Sequence, residues 1–65
     1  MIRNNLQKYR KFQGLKQSEL SEKINVSVST IRKIEKTYYY PRYLIRSKIC
    51  NFFNVSQYQM FLEED

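Results

Sequence analysis

Residues 17–36 carry the sequence QSELSEKINVSVSTIRKIEK, and this stretch decides the fold. Its apolar residues recur at the spacing of two short helices that meet at a sharp turn. Asn25 lies at the turn, where asparagine tolerates a left-handed backbone better than almost any residue except glycine. Five apolar positions line the inner side of the pair: Leu20, Ile24, Val26, Ile31 and Ile34.

The second of these helices is predicted from Val28 to Glu35, with Ser27 as its N-cap. Arg32 and Lys33 lie off the apolar face, so the helix presents a basic surface. The first helix is predicted from Gln17 to Ile24. Such a pair is typical of a helix-turn-helix motif, which reads double-stranded DNA.

The rest of the chain also predicts helices and no strand. One helix is expected from Ile2 to Gln13, with an apolar face of Ile2, Leu6, Tyr9 and Phe12 and a left-handed stop at Gly14. Two more are expected at Tyr43–Phe53 and Gln57–Leu62, with left-handed Asn54 between them. The prediction is therefore an all-α, compact domain of five helices.

The composition limits how such a domain is stabilised. Sixty-five residues, 1–65, make a single domain near the lower size limit for folding alone. Cys50 is the only cysteine and histidine is absent, which excludes an internal disulfide and argues against a zinc site. We therefore expect helix packing, with a second subunit, to stabilise the fold. Cys50 itself is expected in the core, with a redox-sensing role as the alternative.

The charge is distributed unevenly. The net charge of +6 includes an acidic tail at residues 62–65, which contains Glu63, Glu64 and Asp65. Residues 1–62 carry twelve basic and three acidic side chains, a net charge of +9. A small domain with this imbalance attracts polyanions such as DNA.

Several function classes are not expected. We find no signal-peptide region, no apolar run long enough to span a bilayer and no lipidation motif, which favours a cytoplasmic protein. An enzyme is improbable, because the sequence has no histidine, no glycine-rich phosphate loop and no paired carboxylates. No cofactor, metal or small-molecule ligand is expected.

Several segments, taken together in their order and spacing, are specific to one family. They are Leu6 and Arg10, GLKQSEL at 14–20, INVSVSTIRKIE at 24–35, Pro41, and NVS at 54–56. With them the chain closely resembles the DNA-binding domains of the phage repressor/Cro family of bacterial transcription regulators. The resemblance extends from Leu6 to about Phe61. It implies a five-helix bundle whose third helix enters the major groove.

The resemblance also assigns the base contacts to the outer face of the third helix. They are expected from Val28, Ser29, Arg32 and Lys33. Arg32 suits a bidentate pair with guanine O6 and N7, and Val28 suits contact with a thymine methyl group. The Ser29 hydroxyl is permissive, because it can donate or accept a hydrogen bond.

Phosphate contacts are expected around these positions. The resemblance implies that Gln17 contacts a phosphate, and it pairs Arg10 with Glu35 in a structural ion pair. The other expected phosphate contacts are Lys16, Ser27, Lys36, Tyr39 and Arg42. Residues Tyr38 to Tyr40 have two possible roles, since they can pack over the core or donate a phenol hydroxyl to phosphate.

The sequence departs from the family pattern at a few positions. Lys16 stands where a capping Ser or Thr is usual, and Thr37 stands where Gly is common. Arg46 and Ser47 occupy positions of the fourth helix that are usually apolar. The departures at Arg46 and Ser47 leave the packing of the fourth helix open.

Surplus apolar residues near the C-terminal end predict self-association. The expected dimer contacts are Phe52, Tyr58, Phe61 and Leu62. The sequence therefore favours a Cro-like repressor that binds a partly palindromic operator as a homodimer. An antitoxin or a plasmid or phage control protein of the same fold is one alternative. A helical interaction module or a cationic membrane-surface protein is the other.

Overall fold

The fold is all-α, as the sequence predicts. The computed structural model describes residues 4–36 and 39–61. Its five helices are α1 (Leu6–Phe12), α2 (Gln17–Ile24), α3 (Val28–Lys36), α4 (Tyr43–Phe53) and α5 (Gln57–Phe61). The expectations for Ile2, Thr37, Tyr38, Leu62 and the acidic tail lie outside the described residues. The Cα radius of gyration of 10.6 Å matches the value of about 11 Å expected for a folded chain of this length.

Three left-handed residues end three of the helices. Gly14, Asn25 and Asn54 have φ angles of 70°, 57° and 58°. After each of them, the next amide donates to a carbonyl five residues earlier, which is the bond of a Schellman motif. These bonds are Leu15 to Arg10, Val26 to Ser21 and Val55 to Cys50. The apolar residue that follows each stop packs on or in the core, so each turn also fixes the direction of the next segment.

The start of α1 differs from the prediction. The helix begins at Leu6 and not at Ile2, because Asn4 and Asn5 use their hydrogen-bonding groups elsewhere. Asn4 Oδ1 accepts from the Leu6 amide at 3.0 Å, and Asn4 Nδ2 donates to the Ile34 carbonyl at 2.8 Å. The Asn5 amide donates to the Met60 carbonyl at 2.7 Å. Asn4 and Asn5 are therefore hydrogen-bonded to α3 and α5, respectively.

The apolar face of α1 also differs from the prediction. Phe12 is 89% exposed, whereas Arg10 is buried. At 3.6 residues per turn, the six-residue step from Leu6 places Phe12 about 120° away from the buried face. Arg10 is one turn from Leu6 and takes the inner position instead.

The core lies between the five helices. All five apolar positions of the predicted motif are buried, as expected. Among the described residues, the buried hydrophobic cluster consists of Leu6, Leu20, Ile24, Val26, Ile31, Ile34, Ile49, Cys50, Phe53, Met60 and Phe61. Burial raises the pKa of the Cys50 thiol, and the nearby Arg46 charge only partly opposes this shift.

Phe61 was expected at the dimer interface, and the structure places it elsewhere. Its side chain is 1% exposed, and its ring meets the edge of Tyr40 at a centroid distance of 6.0 Å. Phe61 therefore completes the core of the single chain and offers no surface to a partner. The assignment of Phe61 to a dimer contact was wrong.

Candidate nucleic-acid interface

The outer face of α3 carries three cations. Ile31 and Ile34 of α3 are fully buried, so the helix is oriented with its opposite side toward solvent. This side has a shallow, open depression, which is lined by the exposed residues Ser29, Arg32, Lys33 and Lys36. Three of the four expected base contacts therefore share one surface with an expected phosphate contact. The fourth, Val28, is half-buried at the start of the helix.

Tyr39 lies against this surface. The Lys33 ammonium is 5.0 Å from the centre of the Tyr39 ring, and 36% of the tyrosine is exposed. A cation over an aromatic face at an exposed site contributes about 0.5–1 kcal/mol. The segment between α3 and α4 is thus in direct contact with a residue expected to read bases.

The beginning of α2 presents its amides without a capping side chain. Lys16 precedes the helix and is exposed, and its backbone amide donates to the Glu19 carboxylate at 2.7 Å. A lysine side chain has no acceptor, so it leaves the free amides of the first turn uncovered. Those amides and the positive end of the helix dipole favour an anion such as phosphate.

Gln17 is held by the end of α3. Its Nε2 donates to Glu35 Oε1 at 3.1 Å, and the residue is half-buried. This bond fixes the first residue of α2 relative to α3. A phosphate that meets the N-terminus of α2 would therefore also set the position of α3.

Arg10 and Glu35 form the ion pair that the resemblance implied. Arg10 Nε donates to Glu35 Oε2 at 2.7 Å and Arg10 Nη2 donates to Glu35 Oε1 at 3.0 Å. Their side chains are 8% and 1% exposed. Arg10 Nη1 also donates to the Leu15 carbonyl at 2.7 Å. The pair therefore joins α1, the turn after it and α3.

Ser27 caps α3. Its Oγ accepts from the Thr30 amide at 3.2 Å and lies 2.9 Å from Thr30 Oγ1. The residue is exposed. The cap is the one that the sequence predicts, and it fixes where the base-reading turn of α3 begins.

The remaining expected phosphate contacts are Lys36 and Arg42. Both are exposed. Lys36 is the last residue of α3, and Arg42 immediately precedes α4. Arg42 has extended backbone angles and precedes the first residue of α4, while Pro41 before it is fully buried. The burial of Pro41 anchors the segment, and the Arg42 side chain remains available on the surface.

Sequence reasoning did not identify the role of Arg46. Arg46 is half-buried, and its Nη1 donates to the Pro41 carbonyl at 2.7 Å. Its guanidinium carbon is 4.5 Å from the centre of the Tyr40 ring. Arg46 stands where related sequences usually have an apolar residue, and this departure was the signal in the sequence. A charged side chain at such a position requires buried hydrogen-bond partners.

The other expected dimer contacts differ in exposure. Tyr58 is 70% exposed, and Phe52 is half-buried with its ring 4.9 Å from that of Phe53. Two further residues of α4, Tyr43 and Leu44, are 65% and 59% exposed. Exposed apolar residues therefore lie on both α4 and α5, and Tyr43 and Leu44 were not among those expected.

In the described part of the chain, no helix combines the length and the apolar character that crossing a bilayer requires.

Comparison with known proteins gives a family match and a similar protein. A family model described as helix-turn-helix matches residues 6–56, from the start of α1 to the residue before α5. A protein of Methanocaldococcus jannaschii, named as an uncharacterized HTH-type transcriptional regulator, is 39% identical over 64 residues. That alignment covers 98% of this chain and 97% of the relative.

Proposed function

This chain belongs to the helix-turn-helix family, and we propose that it acts as a Cro-like repressor that binds a partly palindromic operator as a homodimer. The family makes it a DNA-binding transcription regulator. We further propose that the protein acts in the cytoplasm, where it occludes RNA polymerase from the promoter. No effector domain is required for this mode.

One observation carries the proposal, namely the basic outer face of α3. Ser29, Arg32, Lys33 and Lys36 share that surface, and the buried face of the same helix is anchored by Ile31 and Ile34. Side chains of this kind match the donors and acceptors of base edges and the charge of phosphates. The α2 N-terminus, with Lys16 and Gln17, supplies a second phosphate site.

Selection of bound sequences from a random DNA library tests the proposal. We expect an enriched motif with two-fold related halves about one helical turn apart, as two α3 helices of a dimer require. Enrichment of a single, unrepeated half would contradict the dimer. Absence of any enriched sequence would contradict sequence-specific binding.

Two substitutions separate base contacts from phosphate contacts. Arg32→Ala is expected to relax specificity at one position of the motif, with a discrimination loss of about 1–3 kcal/mol. Lys36→Ala is expected to weaken all sequences about equally. Lys8→Ala is the matched control, because Lys8 is an exposed lysine of α1 outside this surface. If Lys8→Ala behaves like Lys36→Ala, net charge alone explains the binding.

The salt dependence tests the number of phosphate contacts. With about six to eight phosphates neutralised, the log–log slope of affinity against salt is expected near −5 to −7. A slope near zero would exclude the phosphate contacts that the proposal assigns to the cations Lys16, Lys36 and Arg42.

The dimer is proposed to form through α4 and α5. The apolar residues that we assign to this contact are exposed Tyr58, exposed Leu44 and half-buried Phe52. Tyr58→Glu places a charge on the surface and is expected to yield monomers in sedimentation velocity at micromolar concentration. Phe12→Glu, at an even more exposed aromatic on α1, is the control and should leave the dimer intact. A monomeric wild type, both free and on DNA, would refute the dimer.

A further inference from the structure

Arg46 donates hydrogen bonds from two nitrogens of its guanidinium group to partners inside the protein. Its Nη1 donates to the Pro41 carbonyl at 2.7 Å, and its Nε donates to Gln57 Oε1 at 3.0 Å. The guanidinium carbon also lies 4.5 Å from the centre of the Tyr40 ring and 5.5 Å from that of Tyr43. Few groups other than arginine can donate in two directions and stack on rings at once.

These contacts hold the segment that joins α3 to α4. The Pro41 side chain is fully buried, so its carbonyl needs an internal partner, which Arg46 supplies. The Tyr40 ring contacts both the Arg46 guanidinium and the ring of Phe61, to which it is nearly perpendicular. Two consecutive residues of the segment are thus fixed to the body of the domain by one side chain.

The two residues fixed by Arg46 are flanked by proposed DNA contacts. Tyr39 precedes them and lies against the Lys33 ammonium, and exposed Arg42 follows them. The Arg42 carbonyl accepts from the Ile45 and Arg46 amides, each at 3.1 Å, which continues the attachment into α4. A shift of Tyr40 and Pro41 would therefore displace both flanking side chains.

We propose that Arg46 is a positioning residue for DNA binding, which holds residues 39–42 so that Tyr39 and Arg42 reach the phosphate backbone together. This inference rests on the proposed function of the α3 surface. In this proposal Arg46 acts through the segment, since its Nη1 and Nε donate to Pro41 and Gln57. Binding to a preformed segment avoids the entropy cost of ordering it on the DNA.

A double-mutant cycle tests the coupling. Its four proteins are the wild type, Arg46→Met, Arg42→Gln/Tyr39→Phe, and the combination of all three changes. Methionine keeps an apolar stem of similar length, and Tyr39→Phe keeps the ring beside Lys33. Affinity is measured against the DNA selected by the wild type, with the active concentration fixed by stoichiometric titration. Unfolding midpoints are measured in parallel.

In the wild-type background, Arg46→Met is expected to lower the affinity about tenfold and to reduce the log–log salt slope by about one to two, as the loss of one or two phosphate contacts requires. In the Arg42→Gln/Tyr39→Phe background, the same change is expected to lower the affinity by less than about twofold. A purely structural role would lower stability without changing the salt slope of the folded fraction.

Two controls complete the experiment. Lys8→Met removes an exposed charge of α1 and is expected to leave the slope unchanged, so it measures the effect of net charge alone. Arg46→Lys keeps the charge but not the two-directional donors, and it is expected to resemble Arg46→Met in slope. Arg46→Lys also serves as the second variant if Arg46→Met does not fold.

The outcomes are distinguishable. If the wild type selects no DNA sequence, the proposed function fails. If the wild type binds but Arg46→Met keeps its affinity and slope, the positioning role is overturned. It is also overturned if Arg46→Met lowers the affinity equally in both backgrounds, because Arg46 would then act independently of Tyr39 and Arg42.

Discussion

Replacing Arg10 with methionine is expected to destabilise the domain severely, because it leaves the Glu35 carboxylate buried without its cation. The Glu35 side chain is 1% exposed and receives two hydrogen bonds from Arg10, at 2.7 Å and 3.0 Å. Within residues 4–36 and 39–61, the other side chain that donates to this carboxylate is Gln17, at 3.1 Å. Removal of one partner from a buried pair costs about 3–5 kcal/mol.

That cost is comparable with the whole stability of the protein. A 65-residue domain is expected to have an unfolding free energy of roughly 3–10 kcal/mol. Arg10→Met is therefore expected to be largely unfolded or to have a urea midpoint near zero. The variant is measured by circular dichroism in urea, with trimethylamine oxide added to recover a folded baseline.

The double substitution Arg10→Met/Glu35→Leu is the informative control. It removes both charges and replaces them with apolar groups, so it is expected to regain most of the lost stability. Because the pair is buried, the coupling between the two sites should change little between low and moderate salt. A loss below about 1 kcal/mol for Arg10→Met, or a double variant as unstable as the sum of the singles, would refute this reasoning.

Three further predictions concern the helix ends and the core. Asn4→Ala removes the bonds to the Ile34 carbonyl and the Leu6 amide, and a lower urea midpoint should report a loss of about 1–2 kcal/mol; an unchanged midpoint would contradict the attachment. Asn25→Ala should lose about 1–2 kcal/mol in the same assay, because alanine resists a φ of 57°, whereas Asn25→Gly should stay within about 1 kcal/mol of the wild type. Cys50 should react slowly with iodoacetamide at pH 8 and rapidly in urea, because burial raises its pKa and lowers the thiolate fraction; fast labelling of the native protein would exclude this.

The sequence predicts α2 and α4 with the bounds that the structure has, Gln17–Ile24 and Tyr43–Phe53. Their ends are encoded locally, because Asn25 and Asn54 accept a left-handed backbone and Pro41 favours a segment just before a helix. The buried set of the motif follows equally from helical spacing. Local chemistry therefore determines this part of the fold.

The start of α1 is not encoded locally. Asn5 bonds to Met60 and Gln59, which are more than fifty positions away in the chain, and no helical periodicity reveals such a partner. Phe12 and Phe61 were misplaced for a related reason. Apolar spacing identifies candidates for burial, but the packing of all five helices decides which of them is enclosed.

The candidate site was only partly predictable. The outer face of α3 follows from the buried positions of Ile31 and Ile34, since the opposite side must face solvent. The contact between Lys33 and Tyr39 depends on the path of the segment after α3, which is not periodic. The same limit applies to Arg46, whose partners are brought together only by the fold.

The hydrogen bonds of Asn5 give the domain the connectivity of a closed ring. The Asn5 amide and side chain donate to Met60 and Gln59, so the first and last described segments hold each other. A five-residue helix such as α5 has too few internal bonds to persist alone. Opening of α1 would therefore release α5 as well. Native-state hydrogen exchange of the Asn5 amide should then approach the rate set by global unfolding, as in a domain that opens as one cooperative unit.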